Sequence, residues 1–156
     1  MDKNYLLETA RAIKQVDPEV ADAYAQQADE LISRINKSML TRPEITELVG
    51  KDHIDMMKDN HANHVRFMSS ILMHYNPEVF VDTVLWVFRA YRSHGFTSNY
   101  WATQLNTWIE ILKEVLTKES FHQIYPYYQW MQIHIPVFVK LTDAKLDASN
   151  SSHGTL

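Results

Sequence analysis

Residues 52–95, DHIDMMKDNHANHVRFMSSILMHYNPEVFVDTVLWVFRAYRSHG, hold two helical periods separated by one stop-and-start signal, and the fold turns on them. In the first half Met57, His61, His64, Met68, Ile71 and Tyr75 recur at steps of three and four. That spacing lays one stripe of a long helix, over residues 52–75, against a core. Asn76-Pro77-Glu78 then opens a new helix: Asn76 caps, Pro77 stands where no N–H is needed, and Glu78 meets the positive end of the dipole. Phe80, Val84, Val87, Tyr91 and His94 repeat the same spacing. Residues 80–88 are apolar on nearly every side, which predicts a central, buried helix, ended by Gly95.

Outward from this pair the chain stays helical. Towards the N-terminus, Leu6, Ala10, Ile13 and Val16 give a helix over residues 4–16. Asp17-Pro18-Glu19 starts a second, striped by Val20, Tyr24, Ala28, Leu31, Ile35 and Met39, with Asp17 as the capping acceptor. Thr41 with Glu44 has the capping-box spacing, and a short helix follows as far as Gly50. Towards the C-terminus, Thr97 or Ser98 caps a helix striped by Trp101, Leu105, Trp108, Leu112 and Leu116. Over residues 120–141, Pro126 and Pro136 interrupt the period, and Ile133, Ile135, Val137 and Val139 alternate as in a strand. No other segment offers a sheet to pair with, so this is read as a kinked helix. The expectation is an all-α bundle of six to seven helices forming one domain over residues 1–142. The last stretch, DAKLDASNSSHGTL (143–156), has too little apolar material to pack and reads as a loose, disordered tail.

Composition narrows the function classes. The 156 residues are 46% hydrophobic, with three glycines and five prolines, too few for the turns of a β-sandwich or barrel. A net charge of −4 without a basic stripe argues against nucleic acid. No leader pattern opens the chain, and no apolar run approaches the roughly 20 residues of a membrane span, so a cytoplasmic protein without a membrane partner is expected. There is no cysteine, which removes disulfides, thiolate metal sites and thioether-held cofactors together. His-Glu-x-x-His, Gly-x-Ser-x-Gly and phosphate-loop patterns are missing, and a non-enzymatic role is expected.

The eight histidines carry what chemistry there is. His61, His64, His94 and His134 fall on inward stripes of three helices, and each buried imidazole needs a partner for its ring nitrogens or a metal. The plain reading is a hydrogen bond to a carbonyl or a tyrosine. A di-iron bundle would need two Glu-x-x-His pairs, and only Glu119 with His122 matches. A mononuclear metal held by His61, His64 and a third His is the alternative.

The order and lengths of these elements resemble those of a globin, over about residues 3–141. In that family a haem lies between two helices, with an iron-ligating His near the end of the later one and a polar distal residue on the earlier one. His64 and His94 stand thirty positions apart on the corresponding helices. The resemblance therefore implies His94 as the haem-iron ligand and His64 as the distal donor. It also implies a cavity in which His61, Met68, Trp86, Phe88, Tyr91 and His134 approach the cofactor and Arg66 or Arg92 meets the propionates. From Met39 to Arg66 there is no phenylalanine, which the family places against the haem. Haem-free relatives of the same fold serve as regulatory or dimerising modules. The expectation is thus a sensor domain for a tetrapyrrole or other small molecule, acting as a homodimer or with a signalling partner.

Overall fold

The computed structural model describes residues 2–152, with side chains as far as Asp143. Among the described residues the chain forms nine helices and no strand. These are α1 (Lys3–Arg11), α2 (Pro18–Gln26), α3 (Ala28–Leu40), α4 (Ile45–Val49), α5 (Ile54–Met73), α6 (Pro77–Ser93), α7 (Ser98–Val115), α8 (Lys118–Ile133) and α9 (Ile135–Ser152). No described helix is long and apolar enough to cross a membrane.

The surplus over six or seven comes from two breaks. The expected helix from Pro18 to Met39 divides at Gln27, whose φ of −91° and ψ of 8° leave the helical well. No glycine or proline announces that break. The kinked C-terminal helix is two helices that part at His134, with Pro136 in the first turn of α9, where its missing N–H costs nothing. Pro126 lies inside α8. The strand-like alternation of residues 133–139 thus comes from two helical faces meeting at the break. Helix α9 continues to Ser152, where the composition suggested a loose tail from 143; residues 153–156 lie outside the described residues.

Caps follow the sequence in part. Asn76 accepts from Val79 N at 3.1 Å and Thr97 from Tyr100 N at 3.2 Å. Asp17 does not cap α2: its carboxylate accepts from Gln123 Nε2 at 2.9 Å, fastening the helix start to α8. Thr41 makes no capping box either. Its hydroxyl donates back to Ser38 O at 2.8 Å, and Glu44 is the N-cap of α4.

Helix α5 packs on α2 and α3, α7 on α3 and α8, and α6 on α1 and α9. The core is rich in rings: Trp108, Tyr24, Tyr100, Tyr127, Tyr128, Phe80 and Phe138 are all essentially buried. Helix α6 is not the central buried helix its composition suggested. It buries Phe80, Val81 and Phe88, but Trp86 is 59% exposed and Val79 47%. The reason is positional. Although consecutive, α5 and α6 do not pack closely on each other, so α6 is covered on two flanks only.

Two turns require glycine. Gly50 has φ +98° and ψ 152°, a region essentially closed to other residues, and a Cβ there would lie 2.9 Å from His53 Nδ1. Gly95 has φ +99° but open space around it. Gly95→Ala is expected to cost about 1 kcal/mol from backbone strain. Gly50→Ala should cost more, because it also disturbs the 2.9 Å contact between His53 Nδ1 and Val49 O. Urea titration of the two variants checks the order.

Candidate ligand cavity

The inward stripe of α5 brings two imidazoles into the core, and the structure gives each its own polar partners. His61 Nδ1 lies 2.7 Å from Asn36 Oδ1 on α3, with Nε2 3.3 Å from the Tyr100 hydroxyl on α7. Tyr100 donates to Asn60 Oδ1 at 2.7 Å, and Gln104 Nε2 donates to that same oxygen at 2.7 Å. One turn along α5, His64 Nε2 lies 2.8 Å from the Tyr128 hydroxyl on α8, which is 2.7 Å from the Tyr24 hydroxyl on α2. Trp108 lies between the two systems, stacked on His64 at 5.0 Å and edge-on to His61 at 6.2 Å. Burial penalises the imidazolium, so both rings are held at about 3, well below the ordinary 6.5, with the neighbouring His64 lowering His61 further. Both are neutral at physiological pH.

Where α5 and α6 fail to close, a cavity of about 250 Å³ opens, bounded also by α7, α8 and α9. Its walls are Phe67, Val84, Val87, Phe88, Leu105 and Phe138, with Trp86, Tyr91, Trp101 and Met131 completing the apolar lining. Its polar rim is Asn60, Asn63, His64, Thr83 and Gln104. Among the described residues that line it there is no Asp, Glu, Lys or Arg. A larger and more open groove of about 650 Å³ runs between α1 and α8, where Lys14, Asp17, His122 and Gln123 mix with apolar groups.

The sequence-derived site residues divide between inside and outside. His64, Trp86, Phe88 and Tyr91 all line the cavity. His94 does not. It is the C-cap of α6, exposed beside Gly95, and its ring stands edge-on to His53 at 6.3 Å. The helical stripe from Phe80 to His94 ends one residue too early to carry this ring inward. His61 and Met68 are buried in the core without reaching the cavity. His134 sits in the break between α8 and α9, its Nδ1 2.7 Å from Trp130 O, and faces the α1–α8 groove. Arg66 is exposed and bonds Asn63, and Arg92 donates to Val139 O and Thr142 Oγ1 on α9, so neither serves the cavity.

This arrangement does not fit a haem held by His64 and His94. The intended iron ligand lies outside the cavity, the distal Nε2 is taken by Tyr128, and 250 Å³ is small even beside the roughly 300–1,000 Å³ of drug-sized sites. Nor do three His or carboxylate groups gather around one point among the described residues, as the mononuclear metal reading needs.

Four of the lining residues, Trp101, Leu105, Asn60 and Gln104, are not legible as site residues in the sequence. Trp101 and Leu105 were read as plain core from their spacing, and Asn60 and Gln104 gave no signal beyond being polar on inward faces. An amide at a core position of a helix is costly unless satisfied, and that was the usable clue. No protein-family model, curated protein or solved structure matches the chain.

The neutral imidazoles make stability depend on pH. In the unfolded chain both rings take up protons below about 6.5, whereas in the folded chain they resist until about 3. Their contribution is therefore complete above pH 6.5 and is lost as pH falls through this window, by up to about 1.4 kcal/mol per pH unit for each ring. Urea midpoints between pH 7.5 and 4.5 should fall with acid. In the His61→Gln/His64→Gln variant the fall should be visibly shallower.

Proposed function

We propose that this domain is a non-catalytic sensor or carrier that takes a small, uncharged, largely apolar molecule into the gap between α5 and α6. The observation that carries the reading is the cavity itself: an aromatic-walled space with a few polar groups on one side and no ion among its described lining residues. Ligand sites commonly have this make-up of mostly apolar walls with a small number of placed polar groups. A catalytic role draws no support from it. At neutral pH His64, with its pKa near 3, is too weak a base to be an efficient general base. The globin-like arrangement stays part of the proposal in one respect, a ligand lodged between the helix of His64 and the helix of Trp86 and Tyr91.

A second reading draws on Trp86 and Val79, large apolar side chains left exposed on α6. In that reading the domain is a ligand-free module that pairs with a second copy of itself through α6.

Indane, a neutral bicyclic hydrocarbon, tests the first reading. Near its solubility limit it should raise the melting temperature and shift the amide resonances of α5, α6 and α7, since a ligand that binds only the folded state stabilises it by mass action. Val84→Phe, which fills the cavity from a half-buried position, should abolish both effects. No change in either observable for the unaltered protein would remove the reading. Sedimentation separates the second: a concentration-dependent dimer that Trp86→Glu dissolves supports it, and a monomer at all concentrations rejects it.

A further inference from the structure

The polar groups of the cavity restrict its ligand further, and this step rests on the cavity being a ligand site. The hydrogen-bond chain from α2 through α8 to α5 has a direction. Tyr24 is fully buried, and its hydroxyl has one partner among the described residues, the hydroxyl of Tyr128. A buried O–H with no acceptor costs about 1–3 kcal/mol, so Tyr24 donates to Tyr128. Tyr128, having one proton, then donates to His64 Nε2. Nε2 accepts, and the neutral ring carries its proton on Nδ1. At His53 and His134 the Nδ1 is matched by the carbonyl four residues earlier; at His64 no such bond forms. The Nδ1–H of a lining residue is thus left without a protein acceptor.

A second donor of the lining is also unmatched. Trp101 lines the cavity at 6% exposure, and its indole Nε1–H is buried with no acceptor among the described residues. Buried donors are almost always matched; Trp108 Nε1 and Arg42 Nε are unmatched among the described residues as well, but of these three only Trp101 Nε1 belongs to a residue that lines the cavity, where a ligand could supply the acceptor. With no cation or anion in the described lining, a charged ligand would lose its hydration without a counter-charge, and the two unmatched donors favour a neutral one that brings an acceptor. Size sets the other bound. A dry cavity of roughly 150 Å³ takes benzene, so about 250 Å³ admits a molecule of on the order of ten to fifteen non-hydrogen atoms.

We propose that the cavity binds a neutral one- or two-ring molecule bearing a carbonyl oxygen, with that oxygen accepting from His64 Nδ1–H, Trp101 Nε1–H or both, and the rings lying among Phe67, Phe88 and Tyr91. The side chains hold the ligand by hydrogen bonding and burial alone; no bond is made or broken.

The test compares 1-indanone with indane, two probes of nearly the same shape that differ in the carbonyl. Calorimetry should give about tenfold tighter binding for the ketone, and its carbonyl infrared band should move to lower frequency on binding. Trp101→Phe and His64→Phe should each reduce the ratio of 1-indanone to indane affinity, whatever either substitution does to indane binding alone. Nitrogen-15 correlation spectra of the free protein provide a ligand-independent reading: His64 should be the Nδ1–H tautomer, and Tyr128→Phe should release that preference. If indane and 1-indanone bind equally and the variants change nothing, or if His64 is protonated on Nε2, this inference is overturned while the cavity reading stands. If neither probe binds, both fall.

Discussion

The fold depends on satisfying two imidazoles that α5 carries into the core. An unpartnered buried ring would cost more than its burial returns, so each ring has to meet a group from another helix. Asn36 comes from α3, Tyr100 from α7, Tyr128 from α8 and, behind it, Tyr24 from α2. These bonds have direction and reach, which hydrophobic contact lacks. They fix the rotation and axial position of four helices around α5, while Trp108 between the rings supplies the burial that keeps them neutral. A core of leucines would accept several registers of the same helices. This one accepts few.

The same constraint explains where space remains. Helix α5 packs on α2 and α3 and bonds to Tyr100 and Gln104 of α7 and Tyr128 of α8, and the next helix in the chain is carried away from it onto α1 and α9. The residues between them, Phe67 on one side and Val84 and Val87 on the other, do not reach across, and the cavity is what they leave. Its polar rim is not separate from the core network. Asn60, Gln104 and His64 belong to both, so the groups that set the register of the helices also face the space.

Helical class, the α5–α6 boundary and the caps at Asn76 and Thr97 were readable because they depend on periods and local hydrogen bonds that a single segment contains. The break at Gln27 was not, since nothing in its own residue type disfavours a helix there; the bend belongs to the packing of α2 and α3 on their different partners. Phe88, Trp86, Tyr91 and His64, which the globin resemblance implies beside a cofactor, line the cavity, and His94 does not. A stripe extrapolated to the final residue assumes the helix is still regular there, and at a C-cap preceding a left-handed glycine it has already turned outward. Exposure of α6 was misjudged for a related reason: an apolar surface shows that a helix can be buried, and only the neighbours decide on how many sides.

The tethers of α6 bear on the cavity it walls. Besides Phe80, Val81 and Phe88, this helix is held by three ion pairs at its margins: Lys3 with Asp82, Arg11 with Glu78 and Arg92 with Asp143. The first two are more than half exposed and contribute little individually, and dissolved ions weaken such pairs over distances of about 8–10 Å. The opposite wall, α5, is seated by buried uncharged bonds that ions do not reach. The two sides of the cavity therefore answer to different solution variables, acidity for α5 and ionic strength for α6, and its width is the quantity on which both act.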